Sequence, residues 1–256
     1  MKLALKCYEA KSSTSPTTGA ARDIVLLHGT GARAEMWSRQ IEVLQSAGFR
    51  CIVPDLRGHG DTAEPGTDAN LDAHLQDVLE TLSDVSIAYP VPFVGHSLGA
   101  IISMAIAERH PQLVSAVFAV SMPGKVPQVT RSAFKFFLGW PYHSLKNTPI
   151  HRSLKWRERV LLDTDHFTLN EIVRQFETMD YAAAVPQVTH CPVHFAVGRL
   201  DPIALCAHVE GMHKMLPGST LHVFEFAAHN CMDTHPNQFN RWLIGRLNEL
   251  PVKNCE

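Results

Sequence analysis

Ser97 sits in Gly95-His96-Ser97-Leu98-Gly99, a G-x-S-x-G spacing that follows the apolar run 91–94 and opens a helical stretch over 98–109. A strand-to-helix turn this tight needs small residues two places before and after the serine, and it lifts the hydroxyl clear of the backbone. A serine hydroxyl is a weak nucleophile until a base takes its proton. Fifteen histidines compete for that role. His229 is the best placed, on a loop after the apolar run 221–226 and before the last helical stretch, 236–250. His222 lies inside that run and His235 at the next helix start, while His28, His59 and His96 sit in glycine-containing turns and read as structural. The imidazole in turn needs a carboxylate to hold its tautomer. Asp201 ends the run 193–201 and precedes Pro202. Asp-Pro is also a common helix cap, but the chain order Ser, Asp, His is the one this turn predicts. No acid follows the run 113–120, where Ser121-Met122-Pro123-Gly124 stands instead.

Attack on a carbonyl creates an oxyanion that needs two fixed N–H donors. The amide of Leu98, the residue after the nucleophile, is one. The other is expected from His28-Gly29-Thr30-Gly31, with the Thr30 amide preferred and Gly31 as the near alternative. This Gly-rich turn lacks the Lys-Ser/Thr of a phosphate-binding loop, and G-x-G-x-x-G is absent. His190 and His194 are four apart, but Cys191-Pro192 between them spoils helical metal-ligand geometry, so no metal or cofactor is expected. Cys231, two residues after His229, reads as a buried bystander.

The elements that must position these residues are legible as punctuated apolar runs. Runs at 24–27, 51–53, 91–94, 113–120, 193–197 and 221–226 are apolar throughout, as in strands covered on both faces of a parallel sheet, and 3–8 alternates weakly. Residues 12–21 are polar and turn-rich and read as a loop. Helical spacing fills 34–47, 71–82, 98–109, 202–216 and 236–250. Strand and helix alternate, which predicts an α/β fold, a doubly wound and mostly parallel sheet. Residues 122–187 break the alternation, with helical character over 169–179. They are expected to form a helical cap insertion between core segments 1–121 and 188–256. Met122, Phe137 and Trp140 are candidate substrate contacts there. Phe134, Phe136 and Leu138 share that reading with simple cap packing.

The 256 residues are 45% hydrophobic and 19% charged, enough for a sizeable core. A net charge of −2 argues against a nucleic-acid partner or an anionic-membrane binder. The basic cluster 146–159 reads as a solvated helix face. The N-terminal apolar stretch is too short for a secretory signal, and no run reaches the about 18 apolar residues of an integral membrane segment. Six cysteines without a CxxC read as free thiols in the cytoplasm. Nothing in the sequence supports a homo-oligomer.

Taken together, His28-Gly-Thr-Gly31 with Trp37 downstream, Asp55-Leu-Arg-Gly-His-Gly60 followed by Thr62, the Ser97 turn, Gly198-Arg-Leu-Asp201 and His229 resemble the α/β-hydrolase family. The chain is similar to its capped branch of esterases, C–C bond hydrolases, cofactor-free haloperoxidases and prolyl aminopeptidases. The resemblance implies an α/β-hydrolase fold and a small-molecule substrate, with a carboxylic ester expected first. A carbon–carbon bond in a β-diketone-like metabolite, or a receptor that holds a ligand with little turnover, are the alternatives. Relatives that open epoxides or remove halides carry Asp at the position of Ser97, which disfavours those reactions. One clear N-terminal strand stands where relatives usually have two.

Overall fold

The apolar runs become one sheet, because a strand covered on both faces has no polar side to show. A computed structural model describes residues 1–11, 22–62, 68–183 and 185–251. The stretch 12–21 expected as a loop falls outside the described residues. Seven strands, β1 Leu5–Tyr8, β2 Arg22–Leu27, β3 Phe49–Pro54, β4 Val91–His96, β5 Val114–Val120, β6 Val193–Gly198 and β7 Thr220–Phe224, lie in the order β1-β3-β2-β4-β5-β6-β7. β1 runs antiparallel to β3 and every other neighbouring pair is parallel. This is the mostly parallel, doubly wound sheet that the alternation of runs predicts.

Successive strand residues face opposite layers. Val25, Leu27 and Phe93 pack with α2 (Leu71–Leu82), α3 (Leu98–Arg109) and α9 (Cys206–Met215). Ile24, Leu26 and Val94 pack with α1 (Ser38–Ser46) and α11 (Pro236–Glu249). α3 is apolar on all sides and ten of its twelve residues are buried, as a helix in the centre of a layer must be. From β2 the chain turns toward β3, and from β4 it turns the opposite way toward β5. Adjacent strands whose connections diverge leave a crevice at their C-terminal ends. His28–Gly31 and Ser97 both stand at that crevice.

Between β5 and β6 the chain forms α4 (Gln128–Leu138), α5 (Trp140–Leu145), α6 (Pro149–Ser153), α7 (Trp156–Asp163) and α8 (His166–Gln175). Helices of five to eleven residues gain their stability from packing more than from propensity. These helices are tied down at several points. The Thr130 hydroxyl donates to the Pro202 carbonyl at 2.8 Å, the Asp165 backbone amide to the Gly58 carbonyl at 2.8 Å, and the Gln175 side-chain amide to the Ala69 carbonyl at 3.0 Å. Gly58 is left-handed at φ 72°, and a Cβ there would collide with Thr168 of α8. No helix among the described residues is long and apolar enough to cross a membrane.

One helix start differs from expectation. Pro202 does not open α9, which begins at Cys206. The Asp201 carboxylate instead takes the Ile203 and Ala204 amides, each at 2.9 Å, and holds 201–204 as a turn.

Candidate active site

Ser97 adopts φ 51°, ψ −111°, a left-handed conformation that a non-glycine residue holds only where its surroundings impose it. Its amide donates to the Val120 carbonyl at 2.9 Å, and its carbonyl takes the Ala100 amide at 3.0 Å and the Ile101 amide at 3.2 Å, which starts α3. The two flanking glycines have specific steric causes. A Cβ on Gly95 would collide with the Gly99 carbonyl, and one on Gly99 with the Leu27 carbonyl. Glycine at both positions therefore lets α3 seat directly on the ends of β2 and β4. The side chain of Ser97 is buried.

The loop after β2 lies against this turn. A Cβ on Gly29 would stand 3.1 Å from the Ser97 Cβ and 2.6 Å from the His96 Nδ1. The Gly31 amide is already engaged, donating to His59 Nε2 at 2.9 Å, and the His59 Nδ1–H donates to the Arg57 carbonyl at 2.7 Å. The Gly31 alternative for the oxyanion donor is thereby removed. Among the described residues neither the Thr30 nor the Leu98 amide has a protein acceptor. The Leu98 amide is the first of the unpaired donors at the α3 N-terminus. His28 is bound on both sides, with its Nδ1–H on the Gly29 carbonyl at 2.9 Å and its Nε2 accepting the Leu56 amide at 2.8 Å. Asp55 accepts the Ala34 amide at 2.6 Å and the Asp61 amide at 2.9 Å, so the 55–62 motif is a scaffold for the loops around the crevice.

Asp201 and His229, 28 residues apart in sequence, are hydrogen-bonded. His229 Nδ1 lies 3.0 Å from Asp201 Oδ1 and 2.9 Å from Oδ2. The two loops are clamped: the Arg199 amide donates to the Phe224 carbonyl at 2.9 Å, and the Leu200 amide to the Ala227 carbonyl at 3.0 Å. Gly198 cannot carry a Cβ because Ala227 occupies the space. Burial opposes the charge on Asp201, but His229 and the two capped amides outweigh it and hold the carboxyl below its ordinary value. Asp201 thus caps its own turn and also orients His229.

A contact that the sequence did not reveal joins the two halves. His96 Nε2–H donates to the His229 carbonyl at 3.0 Å, and the two rings lie 4.7 Å apart. Burial pushes the His96 imidazole down to about 3, so it stays neutral. Its buried Nδ1 has no hydrogen-bond partner among the described residues. Among the described residues no hydrogen bond joins the Ser97 hydroxyl to His229. Catalytic hydrogen bonds in unliganded sites are often long and tighten only with substrate. The competing histidines lie elsewhere: His222 stacks on Trp242 at the outer edge of the sheet, and His235 precedes α11. Cys231 is buried and its thiol is pushed up to about 12 by burial, leaving it inert.

The candidate substrate contacts divide. Met122 is fully buried and Phe137 half-buried, edge-on to Tyr142 at 6.2 Å. Trp140 is 79% exposed. α4 is amphipathic with apolar residues on both sides, and the sequence does not say which side faces inward. Two surface grooves, about 600 Å³ between β7 and α11 and about 350 Å³ beside 188–193 and 216–219, lie away from Ser97.

The comparisons with known proteins agree with this architecture. An Escherichia coli O9:H4 protein named "Putative carbamate hydrolase RutD" is 26% identical, over 94% of this chain and 97% of that one. An esterase from Exiguobacterium antarcticum superposes with a TM-score of 0.79 at 19% identity, covering 96% of each chain. The enol-lactonase of Burkholderia xenovorans LB400 superposes at 0.78 and 21% identity, again over 96% of each. At these identities the two structures speak for the fold. A family model described as the alpha/beta hydrolase family matches residues 24–242, and the chain belongs to that family.

Proposed function

We propose that this chain is a serine hydrolase that transfers the acyl group of a small or medium carboxylic ester to water. The observation that carries the proposal is the Asp201–His229 pair, held at 2.9 and 3.0 Å and tied through His96 to the turn bearing Ser97. In this reading His229 takes the Ser97 proton as the hydroxyl oxygen attacks the carbonyl carbon. Asp201 keeps Nδ1–H of His229 directed toward itself, so that Nε2 is free to accept. The Thr30 and Leu98 amides receive the oxyanion. Collapse expels the alcohol, protonated by His229, and leaves an acyl-Ser97. Water, deprotonated by His229, then attacks the acyl carbon, and the acid leaves as Ser97 regains its proton.

Residues 122–187 act as a cap in this reading. The Leu161 side chain of α7 fills the space a Cβ on Gly31 would need, so the insertion covers the loop after β2 directly. The free thiols of Cys7, Cys51, Cys191, Cys206 and Cys231 suit the cytoplasm, the location proposed here. The carbamate named for the Escherichia coli relative is an acyl substrate of the same class, attacked at the same kind of carbon. A graded panel of p-nitrophenyl esters and one carbamate ester tests the proposal. Multiple turnovers on at least one substrate, abolished by Ser97→Ala with the fold unchanged, are expected. A Ser97→Ala protein that keeps wild-type turnover overturns it, and so does a wild-type protein limited to a single slow turnover coupled to ligand binding.

A further inference from the structure

The net charge of −2 conceals an uneven distribution. Residues 125–159 hold eight of the 23 Lys and Arg but only one of the 25 Asp and Glu, a local charge of +7. Four of these cations are neutralised by acids: Lys125 by Asp180, Lys135 by Glu177, Arg157 by Asp233 and Arg159 by Asp163. Among the described residues Arg152 and Lys155 are exposed and have no acidic partner, whereas Lys146 Nζ donates to the buried Tyr142 hydroxyl at 2.6 Å and Arg131, its Nε buried, lies within the field of Glu177. Glu158 is occupied in capping α7, where it accepts the Lys155 amide at 2.9 Å.

The same helices leave large apolar side chains in water. On α4, Val129 is 82% and Phe136 75% exposed, and with the exposed Ala133 between them they follow the i, i+4, i+7 spacing of one helix face. The opposite face of α4 packs inward through Phe134 and the buried Leu138. Trp140, which opens α5, is 79% exposed, and Ile150 of α6 is 61% exposed. Isolated exposed apolar residues are ordinary, but several in succession within a segment of local charge +7 are the pattern of a surface that lies on an anionic interface.

We propose that α4–α6 form a peripheral docking surface for an anionic lipid bilayer. Val129, Phe136, Trp140 and Ile150 enter the headgroup region, and Arg152 and Lys155 meet the lipid phosphates. The charge complementarity selects an anionic surface, and the aromatic and aliphatic tips select one with an apolar layer beneath it. Whole-chain charge points the other way only because it averages this face with the acidic remainder. The proposal does not depend on the hydrolase reading, and its test uses no substrate.

Co-sedimentation with phosphatidylcholine vesicles, with and without phosphatidylglycerol, tests it at low salt. The intact protein should bind the anionic vesicles, release them at high salt, and ignore phosphatidylcholine alone. Trp140 is the one strongly exposed tryptophan, since Trp37 and Trp242 are buried and Trp156 half-buried. Binding should therefore blue-shift the emission of the wild type and leave that of Trp140→Phe unmoved. Phe136→Ser with Trp140→Ser should bind at least about tenfold more weakly, and Arg152→Gln or Lys155→Gln about fivefold each. These side chains are exposed, so unchanged thermal unfolding serves as the folding control. No sedimentation with phosphatidylglycerol vesicles at low salt overturns the proposal. So does equal binding to neutral vesicles, binding indifferent to the Phe136 and Trp140 changes, or retention on single-stranded RNA without retention on vesicles.

Discussion

His96 donates a hydrogen bond to the backbone carbonyl of His229 across 3.0 Å, linking the residue before the candidate nucleophile to the candidate base 133 positions away. Neutral at every pH of interest, the imidazole supplies a fixed donor and no charge. It acts on the loop of His229, so it is a positioning residue. His96→Ala should lower kcat on a p-nitrophenyl ester by roughly 10- to 100-fold, the cost of misplacing a reacting group by about 1 Å, with KM nearly unchanged. His96→Gln, which can still donate to the carbonyl, should recover part of the loss. Steady-state kinetics of both variants check this. An equal fall in both, or a rise in KM alone, would remove the positioning role.

Asp201 has two tasks that substitution can separate. Asp201→Asn keeps an oxygen for the Ile203 and Ala204 amides but presents His229 with an amide in place of a carboxylate. It should unfold close to the wild type while kcat falls by about 10⁴-fold. Asp201→Ala should lose activity and also about 1 kcal/mol or more of stability, because the turn loses its cap. Parallel denaturation and kinetic measurements distinguish the two outcomes.

Gly95 sets how closely α3 seats on β4. Gly95→Ala forces a methyl against the Gly99 carbonyl. A destabilisation of at least about 2 kcal/mol is expected from backbone displacement in so closely packed a turn. Urea denaturation measures it. A neutral effect would mean that the turn yields easily and that the Ser97 conformation is not imposed by packing.

Buried histidines, four of them almost wholly enclosed, predict sensitivity to acid. Burial pushes His28 down to about 4 and His59, His74 and His96 to about 3. Among the described residues neither ring nitrogen of His74 has a hydrogen-bond partner. The unfolded chain takes up protons at these groups from about pH 6.5 downward, and the native protein does not until about pH 4. Their contribution to stability is therefore complete above about pH 6.5 and is lost as pH falls toward 4, at up to about 5 kcal/mol per pH unit for the four together. Tm should drop by roughly 10 °C or more between pH 7 and about pH 5.5. A flat profile across that range would show that these imidazoles are solvated.

The sequence was most legible where both backbone and chemistry are constrained locally. The runs at 24–27, 91–94 and 193–197 read as strands covered on both faces, and the glycines around Ser97 announced a turn that steric contact now explains. The pairing of Asp201 with His229 followed from their places after β6 and β7. The five helices between β5 and β6 were far less legible, because they are short and are held by contacts to Gly58, Ala69 and Pro202 that no local pattern encodes. Pro202 suggested a helix start, but the Asp201 side chain captured the next amides and delayed the helix to Cys206. The outward turn of Trp140 and the hydrogen bond from His96 to His229 are tertiary facts, invisible to spacing.

The most direct test of the catalytic assignment is a fluorophosphonate probe followed by peptide mass analysis. Stoichiometric labelling of Ser97 is expected in the wild type, with none in Ser97→Ala and strongly slowed labelling in His229→Ala. Label carried by another residue, or labelling of Ser97 at the same rate without the His229 imidazole, would contradict it.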